Sequence, residues 1–418
     1  MATQPVRQFP VDSSPSPSTV KTLLHGARIL FLVDEISAST DGGTERQILQ
    51  IVDICNQSGM RPQICVFRGT EWLTPEVAGC PVTHFQIGKI SSSQGLRSLI
   101  QLARWIRERN IDILQTFFSE ANLIGPYVGR LARVPIILGT RRNMNHARAN
   151  GLSRSQFRYQ MLANRLTTQV IANSEAVLER IVESEHISRK RVCVVYNGID
   201  LEHMRPVPEL RASTRERLGI ANDQILVGNI SGLRAIKGVQ MFVNAAADAY
   251  RRDHRLRFVL VGDGELKIQL TQTTRIYGLQ GVIRLVGAAD DVRPYLAAFD
   301  VAVLSSQAEG FSNSLLEYMA AGLPIIATDV GGNREALGSC GLLIRPDVNE
   351  LAKAILDMTA PQKRLECARA ASLKVREFDL PIARERMTAL YEYYLSQRAS
   401  RRRSRAPSNT RRGVMSVE

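Results

Sequence analysis

Short apolar runs alternate with helix-length segments twice along this chain, and that rhythm restricts the fold more than any other feature. Arg28–Val33 (RILFLV) is almost continuously apolar, as expected of a strand buried on both faces. Asp41-Gly42-Gly43-Thr44 follows as a turn. Ile48, Ile51, Val52 and Cys55 then recur at the helical period until Gly59 stops the helix. Further runs lie at 63–67, 82–85, 112–115, 134–139 and 169–173, and the pattern restarts at 225–230, 257–261, 282–286, 300–304 and 324–328. Strands alternating with helices mean βαβ units and parallel sheets. The fold class is therefore α/β, two doubly wound domains facing a cleft. Ligands in such sheets sit at the carboxyl ends of the strands.

The organisation follows. Residues 1–24 are Ser/Pro-rich and lack a signal-peptide core, and are expected to be disordered. One domain covers 25–205 and the second 206–377, joined by the Gly- and Pro-containing stretch around Tyr196–Arg211. Residues 378–397 read as a helix packing back on the body, and 398–418 as a basic disordered tail. That tail explains half of the net charge of +14, because seven arginines and no acid fall between Arg398 and Arg412. At 44% apolar and 22% charged residues the remainder is ordinary globular sequence, which excludes fibrous and wholly disordered classes. Six cysteines without a CxxC pattern indicate buried thiols in a reducing cytosol. Six histidines form no HExxH or HxH cluster, so no metal site is expected. Asp290-Asp291 invites a metal reading, but Asp291 reads better as a helix-start acid. No apolar run approaches the roughly 18–20 residues that span a bilayer.

The chemistry concentrates in Ser305–Asp329 (SSQAEGFSNSLLEYMAAGLPIIATD). It follows a buried strand, with Glu309 in the loop, Ser312 or Asn313 as helix N-cap, and Gly322 with Pro324 as the stop. A helix start behind a strand offers free N–H groups and a positive dipole end, which suits a phosphate. Glu317, one turn inside, shares a face with Asn313. A carboxylate there can accept two ribose hydroxyls. A second stretch, GNISGLRAIKGVQ (228–240), puts Arg234 and Lys237 between a strand and a helix, where two cations could neutralise a diphosphate leaving group.

Glu309 and Glu317, set in EGFSNSLLEYMAAGLPIIATDVGG, resemble the signature of glycosyltransferase family 4. That family has the GT-B fold, two Rossmann-like domains about a cleft, and contains retaining, nucleotide-sugar-dependent transferases. The resemblance covers about residues 28–395. It implies that Glu309 faces the transferred sugar and Glu317 binds the nucleotide ribose. The backbone amides of Gly310, Phe311, Ser312 and Asn313 would meet sugar hydroxyls and phosphate. Arg234 and Lys237 would stabilise the departing diphosphate, in the subgroup arrangement with Arg three residues before Lys; the commoner Arg position holds Gly232. Gly42 and Gly43 would let backbone approach the diphosphate from the first domain. Gly262 and Val286 resemble the base-side loops. Many members carry a histidine after the strand at 112–115. Here that region reads QTFFSEANLIG, leaving Ser119, Glu120 and Asn122 as polar candidates. Arg141 and Arg142, with Asn122, are expected to touch an acidic acceptor or a phosphate.

The resulting expectation is a retaining hexosyltransferase. It would use a UDP- or GDP-type sugar without cofactor or metal, and a saccharide or lipid-linked acceptor in polysaccharide or glycoconjugate biosynthesis. Two rival readings remain: a nucleotide-sugar 2-epimerase or hydrolase on the same fold, and a membrane-docked, non-catalytic nucleotide-sugar-binding protein. The arginine tail is either merely solvated or docks an otherwise cytoplasmic chain on the inner face of the plasma membrane. Without interleaved aromatics it does not suit nucleic acid.

Overall fold

The structure is a computed structural model that describes residues 23–36, 43–68, 72–88, 92–144 and 154–405. The turn residues Asp41 and Gly42, the expected disordered segment up to residue 22 and the tail beyond residue 405 lie outside these residues.

The described residues form two all-parallel sheets. The first has seven strands: β1 (Arg28–Val33), β2 (Arg61–Val66), β3 (Val82–His84), β4 (Ile113–Phe117), β5 (Ile136–Arg141), β6 (Gln169–Ala172) and β7 (Val192–Val194), in the order β3-β2-β1-β4-β5-β6-β7. The second has six: β8 (Ile225–Ile230), β9 (Leu256–Val261), β10 (Ile283–Gly287), β11 (Val301–Leu304), β12 (Ile325–Thr328) and β13 (Leu342–Ile344), in the order β10-β9-β8-β11-β12-β13. Both are doubly wound, so the strand order reverses between β1 and β4 in one and between β8 and β11 in the other. Chain leaving the carboxyl ends of those strand pairs diverges and opens a crevice.

The strands have no polar face because helices cover both sides. Every residue of β8 is buried, as is every residue of β4. Helix Gly43–Gln57 covers one side of the first sheet with Ile48, Ile51, Val52 and Cys55, the positions set by its helical period. Two short edge strands, β7 and β13, were not read from the sequence. At three residues each, they carry too little apolar pattern to stand out.

The segment after β7 meets the chain just before the last helix. Ile199 and Leu380 bond each other's neighbourhoods there (Ile199 N to Phe378 O 2.9 Å; Leu380 N to Ile199 O 2.9 Å). The final helix, Leu380–Arg405, then packs on the first domain with Met387, Leu390, Tyr391 and Leu395 in its core. This corrects the expected end of that helix at residue 397. Arg398 lies inside the helix, not in a solvated tail, and its guanidinium bonds the Asp112 carboxylate beneath β4. One ion-pair anchor and the absence of any breaker before Pro407 let the helix run on.

Candidate functional site

The loops leaving β8 and β11 lie against each other. A 3₁₀ turn, Ala235–Lys237, closes the first, and Gly238 follows with φ +61°. A Cβ on Gly238 would sit 2.0 Å from the Ser305 carbonyl oxygen, so only glycine permits this approach. Ser305 Oγ donates to the Lys237 carbonyl (3.0 Å), and Gln307 N donates to Ile236 O (2.8 Å). These bonds fix Lys237 beside the next loop. Its Nζ lies 2.7 Å from Glu309 Oε1, which also accepts from Ser306 Oγ at 2.6 Å. Both charged groups are largely buried, so the pair is held in a low-dielectric setting. Arg234 sits at the start of the turn with an exposed side chain and no side-chain partner among the described residues.

Ser312, of the two candidates, is the N-cap of helix Asn313–Ala320: its Oγ accepts from Leu315 N at 3.3 Å. Phe311 is buried and packs on Tyr196 and Phe378, with ring centroids 5.0 and 5.2 Å away. Gly310 abuts the first domain, where a Cβ would meet the Arg142 carbonyl oxygen at 2.1 Å. Asn313 Nδ2 donates to the Gly43 carbonyl at 2.9 Å, so the starts of two helices from different domains face each other. Glu317 is buried one turn further in, and Arg46 Nη1 from the first domain reaches its Oε1 at 2.8 Å. Burial pushes the Glu317 carboxyl pKa up, and the Arg46 charge opposes that shift.

Gly262 is held by a backbone constraint: its Cβ would lie 2.0 Å from the Ser231 carbonyl, and its N–H donates to Gly287 O at 2.8 Å. Val286 packs, half-buried, on the second core. These two therefore shape the rim through backbone and bulk.

The three residues expected on the acceptor side divide. Asn122 is filled internally: its Oδ1 accepts from Thr116 Oγ1 (2.7 Å) and Thr140 N (3.2 Å), and its Nδ2 donates to the Phe118 and Thr140 carbonyls (2.5 and 2.8 Å). Arg141 is equally committed, paired through Nε and Nη2 with Glu185 (3.0 and 2.9 Å) and bonded to Asn164. Asn122 has no donor or acceptor left for a ligand, and the Nε and Nη2 edge of the Arg141 fork is directed at Glu185 and Asn164 within its own domain. A strand-end position alone does not say which way a side chain turns. Arg142 does turn toward the second domain, where it bonds Asn197 Oδ1. Asn197 Nδ2 continues to Phe311 O (3.2 Å) and Asn313 Oδ1 (2.6 Å). Burial of the Arg142 guanidinium draws its pKa down to about 10.

Several contributors were not read from the sequence. Arg46 follows the Gly-Gly turn by three residues, and no local pattern around it points to a partner in the other domain. Asn197 stands in YNGID, whose turn signal gave no hint of a cross-domain bond. Glu335 caps helix Glu175–Ser184 from the opposite domain, accepting from Glu175 N (2.7 Å) and Ala176 N (2.6 Å). Asp34, after β1, accepts the first N–H groups of helix Ser119–Leu131, at 2.8 Å from Glu120 and 2.5 Å from Ala121. Asp34 lines a cavity of about 320 Å³ with Glu35, Glu45, Arg68, Phe118 and Ser119, at the strand-order reversal of the first sheet. Burial raises the Asp34 pKa to about 6, against the pull of those two backbone bonds.

The family model described as Glycosyltransferase Family 4 matches residues 41–203, and that described as Glycosyl transferases group 1 matches residues 222–360. A relative from Escherichia coli, UDP-Gal:alpha-D-GlcNAc-diphosphoundecaprenol alpha-1,3-galactosyltransferase, is 28% identical over 58% of this chain and 64% of its own length. The chain thus spans less than two thirds of that relative. A second, from Campylobacter jejuni, is the N-acetylgalactosamine-N,N'-diacetylbacillosaminyl-diphospho-undecaprenol 4-alpha-N-acetylgalactosaminyltransferase, 24% identical over 84% of this chain and 96% of its own. Among solved structures, Anabaena Alr3699/HepE in complex with UDP and glucose superposes with a TM-score of 0.74. It is 25% identical, covering 87% of this chain and 98% of that one.

Proposed function

Because this chain belongs to glycosyltransferase family 4, with the two-domain GT-B architecture, we propose that it transfers a sugar from a nucleotide diphosphate donor to a hydroxyl of a glycan acceptor. The observation that carries this reading is the contact of Lys237 with Glu309 at the strand-order reversal of the second sheet, with Glu317 on the helix that follows. A diphosphate at this helix start meets free N–H groups and the dipole, and Lys237 can leave Glu309 for a phosphate oxygen. Arg234, exposed beside it, supplies a second cation. Glu309 then faces the transferred sugar, and Glu317 accepts ribose hydroxyls.

In the reaction the anomeric carbon–phosphate oxygen bond breaks, and a bond to the acceptor oxygen forms. Electrons of the broken bond stay on the diphosphate, whose developing charge Lys237 and Arg234 stabilise. We assign a retaining course, in which the acceptor attacks on the leaving-group face and its proton passes to the departing phosphate oxygen. The donor is of the UDP or GDP type. UDP is favoured by the complex of the Anabaena neighbour, and a lipid-linked acceptor by the named acceptors of the Escherichia coli and Campylobacter relatives.

The test is a thermal-shift screen of nucleoside diphosphates and their sugars, followed by product analysis with and without a diphospho-undecaprenol saccharide. A bound donor raises apparent stability by mass action. Sugar transfer with retained anomeric configuration is the expected result. Free or epimerised sugar formed equally without acceptor would replace transfer by hydrolysis or epimerisation.

No described helix is long and apolar enough to cross a membrane. The reading extends to electrostatic contact of the arginine-rich end of helix Leu380–Arg405 with an anionic membrane face. A chain cut after Ala399 keeps the Arg398–Asp112 contact, so loss of salt-sensitive vesicle binding in that variant would isolate the remaining arginines.

A further inference from the structure

Arg46 and Glu317 belong to different domains and stand 271 residues apart, yet they form a 2.8 Å ion pair at the wall of the cleft. The pair is lopsided. The Glu317 side chain is 6% exposed, whereas that of Arg46 is 51% exposed. A buried carboxylate that must act as an acceptor needs a cation nearby, or it takes up a proton and becomes a donor. Among the described residues, Arg46 is the charged group that bears on Glu317. The neighbouring Tyr318 hydroxyl is turned away, accepting from Ile230 N at 2.7 Å. Of the two Glu317 oxygens, the Arg46 guanidinium bonds Oε1, and Oε2 accepts no hydrogen bond from a described residue. The register of the two helices is fixed independently by the Asn313–Gly43 bond, so the guanidinium does not reach Glu317 by an accident of side-chain rotation.

We propose that Arg46 is a positioning residue for donor recognition, holding the Glu317 carboxylate from the opposite domain in the orientation and charge that a ribose diol requires. The inference rests on the reading of Glu317 as the ribose acceptor. Ribose selectivity is then a property of the assembled cleft, because neither domain alone contains both partners. Oε2 and the unshared lone pair of Oε1 remain for the two hydroxyls. Without Arg46, Glu317 keeps its burial and loses the charge that opposes it, so it holds a proton to higher pH.

The experiment measures dissociation constants of UDP and 2′,3′-dideoxy-UDP between pH 5.5 and 8.5. It uses the full chain and the variants Arg46→Met, Arg46→Lys and Glu317→Gln. In the wild type UDP should bind more tightly than the dideoxy analogue by roughly tenfold, the scale of hydrogen bonds to a charged group. Arg46→Met should lose that preference at acidic pH and recover part of it as pH rises. Arg46→Lys should restore it, and Glu317→Gln should lack it at every pH. A preference in Arg46→Met equal to that of the wild type across the range would overturn the role of Arg46 while leaving Glu317 its own. Equal binding of UDP and its dideoxy analogue by the wild type would instead remove the ribose reading of Glu317, and this proposal with it. Arg46 is half-exposed on a helix whose core contacts lie on the other face, so its substitution leaves the fold intact for the comparison.

Discussion

Lys237 Nζ lies 2.7 Å from Glu309 Oε1 although the two residues are 72 positions apart. Each therefore neutralises the other in a site that is mostly shielded from water. On the proposed reading, a donor diphosphate would replace Glu309 as the lysine's partner and release the carboxylate toward the sugar. That exchange would place the cation on the leaving group before the chemical step, where one such charge donor acts on the developing negative charge.

Removing that cation should cost turnover far more than stability. Lys237→Ala is expected to lower kcat by a factor of about 100–1,000, the loss seen when one preorganised charge donor is deleted. Its melting temperature should stay within a few degrees of the wild type. Steady-state kinetics beside a thermal melt check this, and unchanged kcat would remove Lys237 from the mechanism.

Arg141 should behave in the opposite manner. Its bidentate pair with the buried Glu185 means that Arg141→Ala removes two charge-assisted hydrogen bonds from a buried carboxylate, at a cost of about 1.5–3 kcal/mol. Denaturant unfolding should report that loss, and acceptor KM of the protein that remains folded should be unaltered. A raised acceptor KM with normal stability would return Arg141 to the acceptor site.

Gly310 tests the seam between the domains. Its Cβ would fall 2.1 Å from the Arg142 carbonyl, a backbone atom that cannot rotate aside. Gly310→Ala should therefore displace one domain from the other by some tenths of an ångström or more. Such misplacement can lower kcat/KM by about 100-fold. Kinetics of the variant, with circular dichroism to confirm folding, decide the matter.

Asp34 supplies a pH signature. Its pKa is raised by burial to about 6, above the value of about 3.9 in an unfolded chain. Between those values the native state holds a proton that the unfolded state has released, so the group's contribution to stability is greatest below pH 4 and is lost as pH rises through 6. Relative to Asp34→Asn, the wild type should lose on the order of 2–3 kcal/mol between pH 4 and pH 7. Parallel urea titrations at the two pH values measure the difference.

Glu335 caps a helix of the other domain with both carboxylate oxygens. Glu335→Ala should destabilise that helix start by about 1–2 kcal/mol. Amide exchange at residues 175–178 should quicken, and residues 119–122 should be unaffected.

Most of the architecture was readable before any coordinate. Continuous apolar runs such as RILFLV and ILVGNI can only be strands covered on both faces, and their alternation with helices leaves parallel sheets as the outcome. The strand–loop–helix around Glu309 and Glu317 was equally legible, because capping, stop signals and spacing are local chemistry. The short edge strands β7 and β13 and the continuation of the last helix through Arg405 were not. They depend on pairing and on the Asp112 contact, which are distant in sequence.

The sequence by itself determined two doubly wound domains and placed Lys237, Glu309 and Glu317 at strand ends, since periodicity and turn residues act over a few positions. Only the tertiary structure decided which charges meet. It turned Arg141 inward to Glu185, spent Asn122 within its own domain, and carried Arg46 across to Glu317. The direction of a side chain at a strand end is set by what packs around it, and a charge finds its partner through space, where separation along the chain has no bearing.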